Sequence, residues 1–132
     1  MANKELDVDF ELWVATYYKN KAQSCRDKGI AFNLNLTSVR NLLSAKVCGY
    51  TGMPLTIPNR TSSVASKFSD ITIDRIDNSR PYEKGNVIAV SYGVNNFKSM
   101  FENPLYSLDM ETAKKALVKM QKKIAQCKEN NK

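Results

Sequence analysis

Ile73-Asp74-Arg75-Ile76-Asp77-Asn78-Ser79-Arg80-Pro81-Tyr82-Glu83-Lys84-Gly85-Asn86-Val87 is the stretch on whose reading the fold depends. Ile71 to Ile76 has the β-branched, alternating character of a strand, and Asn86 to Val90 reads as a second. Between them, Asp77, Asn78, Ser79, Arg80 and Pro81 are turn formers, so the two strands form a β-hairpin with a long connection. Directly beyond it, Val94 to Met100 suits a helix. The expected class is therefore α+β, with the hairpin and its helix at the centre.

Working outward, the residues before the hairpin from Cys48 to Asp70 hold Gly49, Gly52, Pro54, Pro58 and the polar run Asn59 to Ser63. These predict turn and loop, with a mobile tip. Further upstream, Phe10, Trp13, Val14, Tyr17, Ala22 and Cys25 recur at helical spacing, which predicts a helix over about 9 to 27, capped by Asp7 or Asp9 and stopped by Gly29. Ile30, Phe32, Leu34 and Leu36 alternate with Ala31, Asn33 and Asn35, which predicts a strand or extended segment. Thr37 or Ser38 then caps a short helix carrying Val39, Leu42 and Leu43 and ending near Lys46. Downstream, Ser107 caps a last helix with Met110, Ala113, Leu117, Met120, Ile124 and Cys127 as one apolar stripe. Disorder is expected only after about residue 127. The 132 residues read as one domain, with a helical part over 1–47, a ββα core over about 48–103 and a basic helix over about 107–127.

The composition narrows the chemistry. Twenty Lys and Arg against thirteen Asp and Glu give a formal charge of +7, which favours a polyanionic partner. There is no histidine, which removes the commonest general base and the commonest transition-metal ligand together. The three cysteines, Cys25, Cys48 and Cys127, are far apart and odd in number, and no Cys-x-x-Cys pair occurs. A disulfide framework and zinc are thus not expected, and each cysteine reads as a small buried hydrophobe. A metal here would be a hard cation held by oxygen. No apolar run is long enough to span a bilayer and the first residues lack the apolar core of a leader, so a cytoplasmic setting without membrane attachment is expected. The lysines of the last helix read as a solvated face, and the Phe10, Trp13 and Tyr17 stripe as core.

Asp74-Arg75 at the end of the first strand, Asn86 at the start of the second and Asn95-x-x-Lys98 on the following helix resemble the HNH (ββα-metal) endonuclease superfamily. In that family an acid stands next to a histidine at the first of these places. More narrowly, Ile73 to Ser99 is similar to a group of phage proteins that write the hairpin D-R-I-D-x-S-x-G-Y-x-x-G-N-V and the helix S-x-x-x-N-x-x-K-S. Pro81 departs from it where the group usually has Gly. Lys28-Gly29-Ile30-Ala31-Phe32 and Cys48-Gly49-Tyr50-Thr51-Gly52-Met53-Pro54-Leu55 resemble the same group more loosely.

The resemblance implies a metal-dependent DNA endonuclease. A hairpin packed on its helix would bring Asp74 and Asn95 together as oxygen ligands for Mg²⁺ or Mn²⁺. Asn86 would hold the loop, where a turn-capping role is an equal reading. Lys98, with Arg80 and Lys84, would contact nucleic acid. Arg75 stands in the place of the histidine base, and a guanidinium cannot accept a proton near neutrality. It could instead clamp phosphate, leaving the proton to solvent, to metal-bound hydroxide or to Asp77; or it could pair with Asp77 or Glu83 in a purely structural role. The alternative function is a catalytically inactive HNH-like module that binds nucleic acid or a host or phage protein.

Overall fold

The computed structural model describes residues 7–58, 65 and 67–131, so the Asn59 to Ser63 loop tip lies outside the described residues. The elements run α1 (Val8–Asp27), α2 (Leu36–Leu43), β1 (Ile71–Arg75), β2 (Val87–Ser91), α3 (Tyr92–Glu102) and α4 (Met110–Asn130). The chain divides into two compact units, Met1–Asn96 and Phe97–Lys132.

In the first unit α1 begins where Asp7 accepts the Phe10 amide at 3.0 Å, and Asp9 and Glu11 add negative charge to the same turn. It ends in a Schellman arrangement. Gly29 sits at φ 69°, its amide bonds Arg26 O, and the Ile30 amide bonds Cys25 O at 2.8 Å. Trp13, Val14, Tyr17 and Cys25 fall on one face of α1 and are buried with Leu34, Val39, Leu43, Ile71, Ile73, Tyr82 and Ala89. That cluster is the core; of the aromatic stripe it includes Trp13 and Tyr17, with Phe10 partly buried against it.

Of the strand or extended segment expected over Ile30 to Leu36, no named strand forms. Phe32 makes one isolated parallel bridge to Tyr82, with Asn33 N donating to Tyr82 O and Tyr82 N to Ala31 O. The alternation stops because Asn35, not Thr37 or Ser38, caps α2: its side chain accepts the Ser38 amide at 2.8 Å, which draws Leu36 into the helix and leaves it exposed. α2 closes at Leu43 with Ser44 as its cap, short of Lys46.

β1 and β2 pair antiparallel with Ile71 opposite Ser91, Ile73 opposite Ala89, Asp74 opposite Ile88 and Arg75 opposite Val87. Side chains alternate between the faces of a strand. Ile71, Ile73, Val87 and Ala89 therefore share the face turned to the core. The outer edge of β1 is closed by Thr56 O, which accepts the Ile71 amide at 2.8 Å, and by the Tyr17 hydroxyl, which accepts the Ile73 amide at 3.1 Å. Lying against the other face is the turn around Gly49, whose amide bonds Ala89 O at 2.9 Å and whose Cα abuts the Ile88 side chain.

α3 follows β2 without a break. Ser91 Oγ accepts the Val94 amide, while Tyr92 N bonds Asp70 O at 2.7 Å and Gly93 N bonds Phe68 O at 2.9 Å. The start of the helix is thereby tied to the segment that enters β1. Within the second unit, Phe97 and Phe101 meet edge to face at 5.0 Å. α4 is capped by Asp109, which accepts the Thr112 amide at 2.7 Å, and not by Ser107, which takes a positive φ of 48°. Its helix is described through Asn130, past the point where disorder was expected. Of its stripe only Ala113 is buried; Met110, Leu117, Met120 and Ile124 are all more than half exposed. Cys127 is also exposed, unlike buried Cys25 and Cys48. No helix among the described residues is long and apolar enough to cross a membrane.

Candidate functional site

The turn between β1 and β2 is built around Asn86, which is 1% exposed. Its amide nitrogen donates to Asp77 O at 3.0 Å and to Pro81 O at 2.9 Å, and its carbonyl oxygen accepts the Asp77 amide at 2.9 Å. The ladder continues one step beyond the strands, with Ile76 N bonding Asn86 O. Within the turn the Asp77 carboxylate accepts both the amide and the hydroxyl of Ser79, at 3.0 and 2.7 Å, closing an Asx turn. Gly85 at φ 89° supplies the left-handed step before Asn86. Arg80 pairs with Glu83 at 2.6 Å on the surface, an exposed pair worth at most about 1 kcal/mol. Lys84 is exposed.

Asp74 and Arg75 are adjacent in sequence and so project to opposite faces of β1. Arg75 lies on the core side, where its guanidinium donates to Arg80 O at 3.2 Å and lies 5.1 Å from the centroid of the Tyr82 ring. The Lys21 ammonium lies 4.9 Å from the same centroid. Burial pushes the Lys21 pKa down, but neighbouring Tyr17, Tyr82 and Cys25, with a hydrogen bond to Tyr82, outweigh it and leave the pKa raised. Asp74 lies on the other face, 7% exposed, with the Tyr50 hydroxyl 3.4 Å from its carboxylate. Asn95 is half-buried on α3. Lys98, in the second unit, bonds Glu102 at 2.7 Å.

The hairpin thus gathers Arg75, Asp77, Arg80 and Asn86 at one turn. Four contributors escaped sequence reasoning. Tyr50 and Lys21 carry no local signal, since what places them is the packing of the Gly49 turn and of α1 on the sheet. Tyr82 is part of the quoted motif, which assigns it no role. Asp70, 2% exposed, accepts Thr56 Oγ1 at 2.8 Å and the Lys67 amide at 2.9 Å, and so fixes the entry to β1.

Cys48 is also distinctive. Burial pushes its thiol up, but donation from the Thr51 hydroxyl and from the Ser91, Tyr50 and Thr51 amides outweighs burial and lowers the pKa to about 7. The Ser91 amide lies 3.5 Å from the sulfur.

Comparison with known proteins gives one informative similarity. Over 76 residues, 58% of this chain, it is 37% identical to the protein named "Uncharacterized 29.0 kDa protein in dda-modA intergenic region" of Enterobacteria phage T4. That stretch is 28% of the phage protein, so the chain spans well under half the length of this relative. No family model matches the sequence. No solved structure matches it.

Proposed function

We propose that the chain is a phage-type, HNH-like DNA endonuclease that hydrolyses phosphodiesters with a divalent cation in the cytoplasm of a host cell. The observation that carries this reading is Asn86. A fully engaged amide that binds both polar groups of Asp77 holds the turn beside Asp74-Arg75 in one conformation, and positioning is what such a reaction asks of its frame. The hairpin leads straight into a helix bearing Asn95 and Lys98, in the order the resemblance requires. Similarity to a phage protein supports the source.

The donor set fits a hard cation. Asp74 and Asn95 offer a carboxylate and an amide oxygen, a pair suited to Mg²⁺ or Mn²⁺ with water and phosphate oxygens completing the shell, and the chain has no histidine to favour a softer metal. Such an ion, when bound, supplies polarisation of the scissile phosphate and stabilisation of the leaving 3′ oxygen. Arg75 holds positive charge beside the turn and stabilises charge that develops on phosphate. It accepts no proton, so that role falls to solvent or to Asp77. Arg80, Lys84 and Lys98 supply backbone contacts that position DNA without reading its sequence.

Incubation of the purified protein with supercoiled plasmid in Mg²⁺ or Mn²⁺, beside Asp74→Ala, tests the proposal. Metal-dependent nicking or linearisation lost in the variant supports it; cutting that persists in the variant, or none on any DNA form, overturns it.

One observation favours a second reading. Arg75 is engaged with the Arg80 carbonyl and the Tyr82 ring, which is the posture of a group that braces a loop. A non-catalytic module that binds DNA or another protein on the same scaffold follows from that. DNA binding with a steep salt dependence and no cleavage would favour it.

A further inference from the structure

α4 is a 21-residue helix whose larger apolar side chains, Val118 apart, fall on one seam. Met110, Ala113, Leu117, Met120, Ile124 and Cys127 are spaced alternately three and four residues apart, which is the a/d pattern of three consecutive heptads. Met110, Leu117 and Ile124 take position a; Ala113, Met120 and Cys127 take position d. A seam of this width matches a single facing helix, whereas a helix lying in a bilayer interface shows a broader apolar face with aromatic anchors. α4 contains no aromatic residue. Apart from Ala113, every residue of the seam is exposed.

The residues beside the seam specify the occupant. Positions e are Lys114, Gln121 and Lys128, and positions g are Ala116, Lys123 and Asn130, so the flanks carry positive charge and no acid. In a parallel pair of α4 helices Lys123 would face Lys128 of the second copy, and an antiparallel pair would also set lysine against lysine. Like charges at e and g oppose self-pairing and select a partner of opposite sign. We infer that α4 is one strand of a heterotypic coiled coil, whose other strand is a helix of a different protein with an apolar a/d seam flanked by Glu or Asp at e and g. This inference is independent of whether the hairpin cleaves DNA, and its test needs neither metal nor nucleic acid.

The probes are two synthetic four-heptad peptides with Ile at a and Leu at d, one with Glu and one with Lys at every e and g position. Each is titrated into the full chain by calorimetry, and the products are sized by sedimentation. The expected result is a one-to-one complex with the Glu peptide, at least about tenfold tighter than any with the Lys peptide. Leu117→Asp should abolish it. The double variant Lys123→Glu and Lys128→Glu alters only exposed flanks, so it should keep its helical circular dichroism and reverse the preference towards the Lys peptide. Binding of neither peptide, equal binding of both, or no change of preference in the double variant overturns the inference. So does a dimer of the protein alone, or capture by phosphatidylserine vesicles without binding of the Glu peptide.

Discussion

Asn86 grips Asp77 at both of its backbone polar groups, giving a hydrogen bond to the carbonyl at 3.0 Å and taking one from the amide at 2.9 Å. A third bond to Pro81 O leaves both donors and the carbonyl oxygen of the buried amide engaged in holding one turn. Removing the side chain therefore leaves three turn groups to find water or go unpaired. Asn86→Ala should cost about 2–4 kcal/mol, read from the urea midpoint. Asn86→Asp keeps the acceptor but loses both donations and buries a carboxylate, so it should be no better. A variant as stable as the parent would show that the turn holds without this amide.

Arg75 tests the chemistry of the turn. Arg75→His places a group with a titration point near neutrality at the end of β1, where the resemblance puts a general base. Plasmid cleavage in Mg²⁺ should rise by at least about a hundredfold if the metal ligands are competent. Arg75→Met removes the charge without adding a base and should lower cleavage. Equal activity in all three would remove Arg75 from the site.

The lowered pKa of Cys48 gives stability a pH dependence with a definite sign. In the folded chain the thiol ionises at about 7, and in the unfolded chain at its ordinary, higher value. Below the folded pKa both states are protonated and the group contributes nothing. As pH rises from about 7 towards 9 the folded state is ionised while the unfolded state is not, so stability increases. It is lost again as pH falls back through the folded pKa. Cys48→Ser should lack this increment, and urea midpoints of the two proteins across that window should diverge as pH rises. Parallel curves would refute the assignment.

Two glycines should respond differently to a methyl group. A Cβ at Gly49 would run into the Ile88 side chain and come within 3.2 Å of the Ala89 carbonyl, a backbone atom that cannot move aside. Gly49→Ala should cost about 1–3 kcal/mol. A Cβ at Gly93 would stand 1.9–2.3 Å from three atoms of the Phe68 ring, the ring root among them, and the bond from Gly93 N to Phe68 O holds the two segments together. Gly93→Ala should therefore cost more than Gly49→Ala, although alanine is the better helix former by about 1 kcal/mol. Thermal melts of the two variants decide the matter, and a Gly93→Ala protein as stable as the parent would contradict it.

Local pattern carried much of the architecture. The α1 stripe with its Asp7 cap and Gly29 stop, the hairpin and the two later helices all follow from periodicity and turn chemistry, because each depends on neighbours within a few residues. The exceptions are instructive. Alternation from Ile30 to Leu36 describes a strand equally well until a competing cap is considered, and Asn35 diverted that segment into a helix start. Asp109 displaced Ser107 by the same kind of competition. The apolar stripe of α4 gave the right helix but the wrong burial, since periodicity records that a face is apolar and not whether anything covers it.

The sequence by itself determined the α+β class, the hairpin leading into a helix and the stock of charged and amide side chains at the turn. Tertiary structure alone decided that Asp74 meets Tyr50 while Arg75 and Lys21 each meet the Tyr82 ring. Strand parity sends the two neighbours to opposite faces, and what each face encounters comes from segments dozens of positions away in the chain. Asn86 belongs to both accounts: its place in the motif is written locally, and its three hydrogen bonds exist only once the two strands have paired.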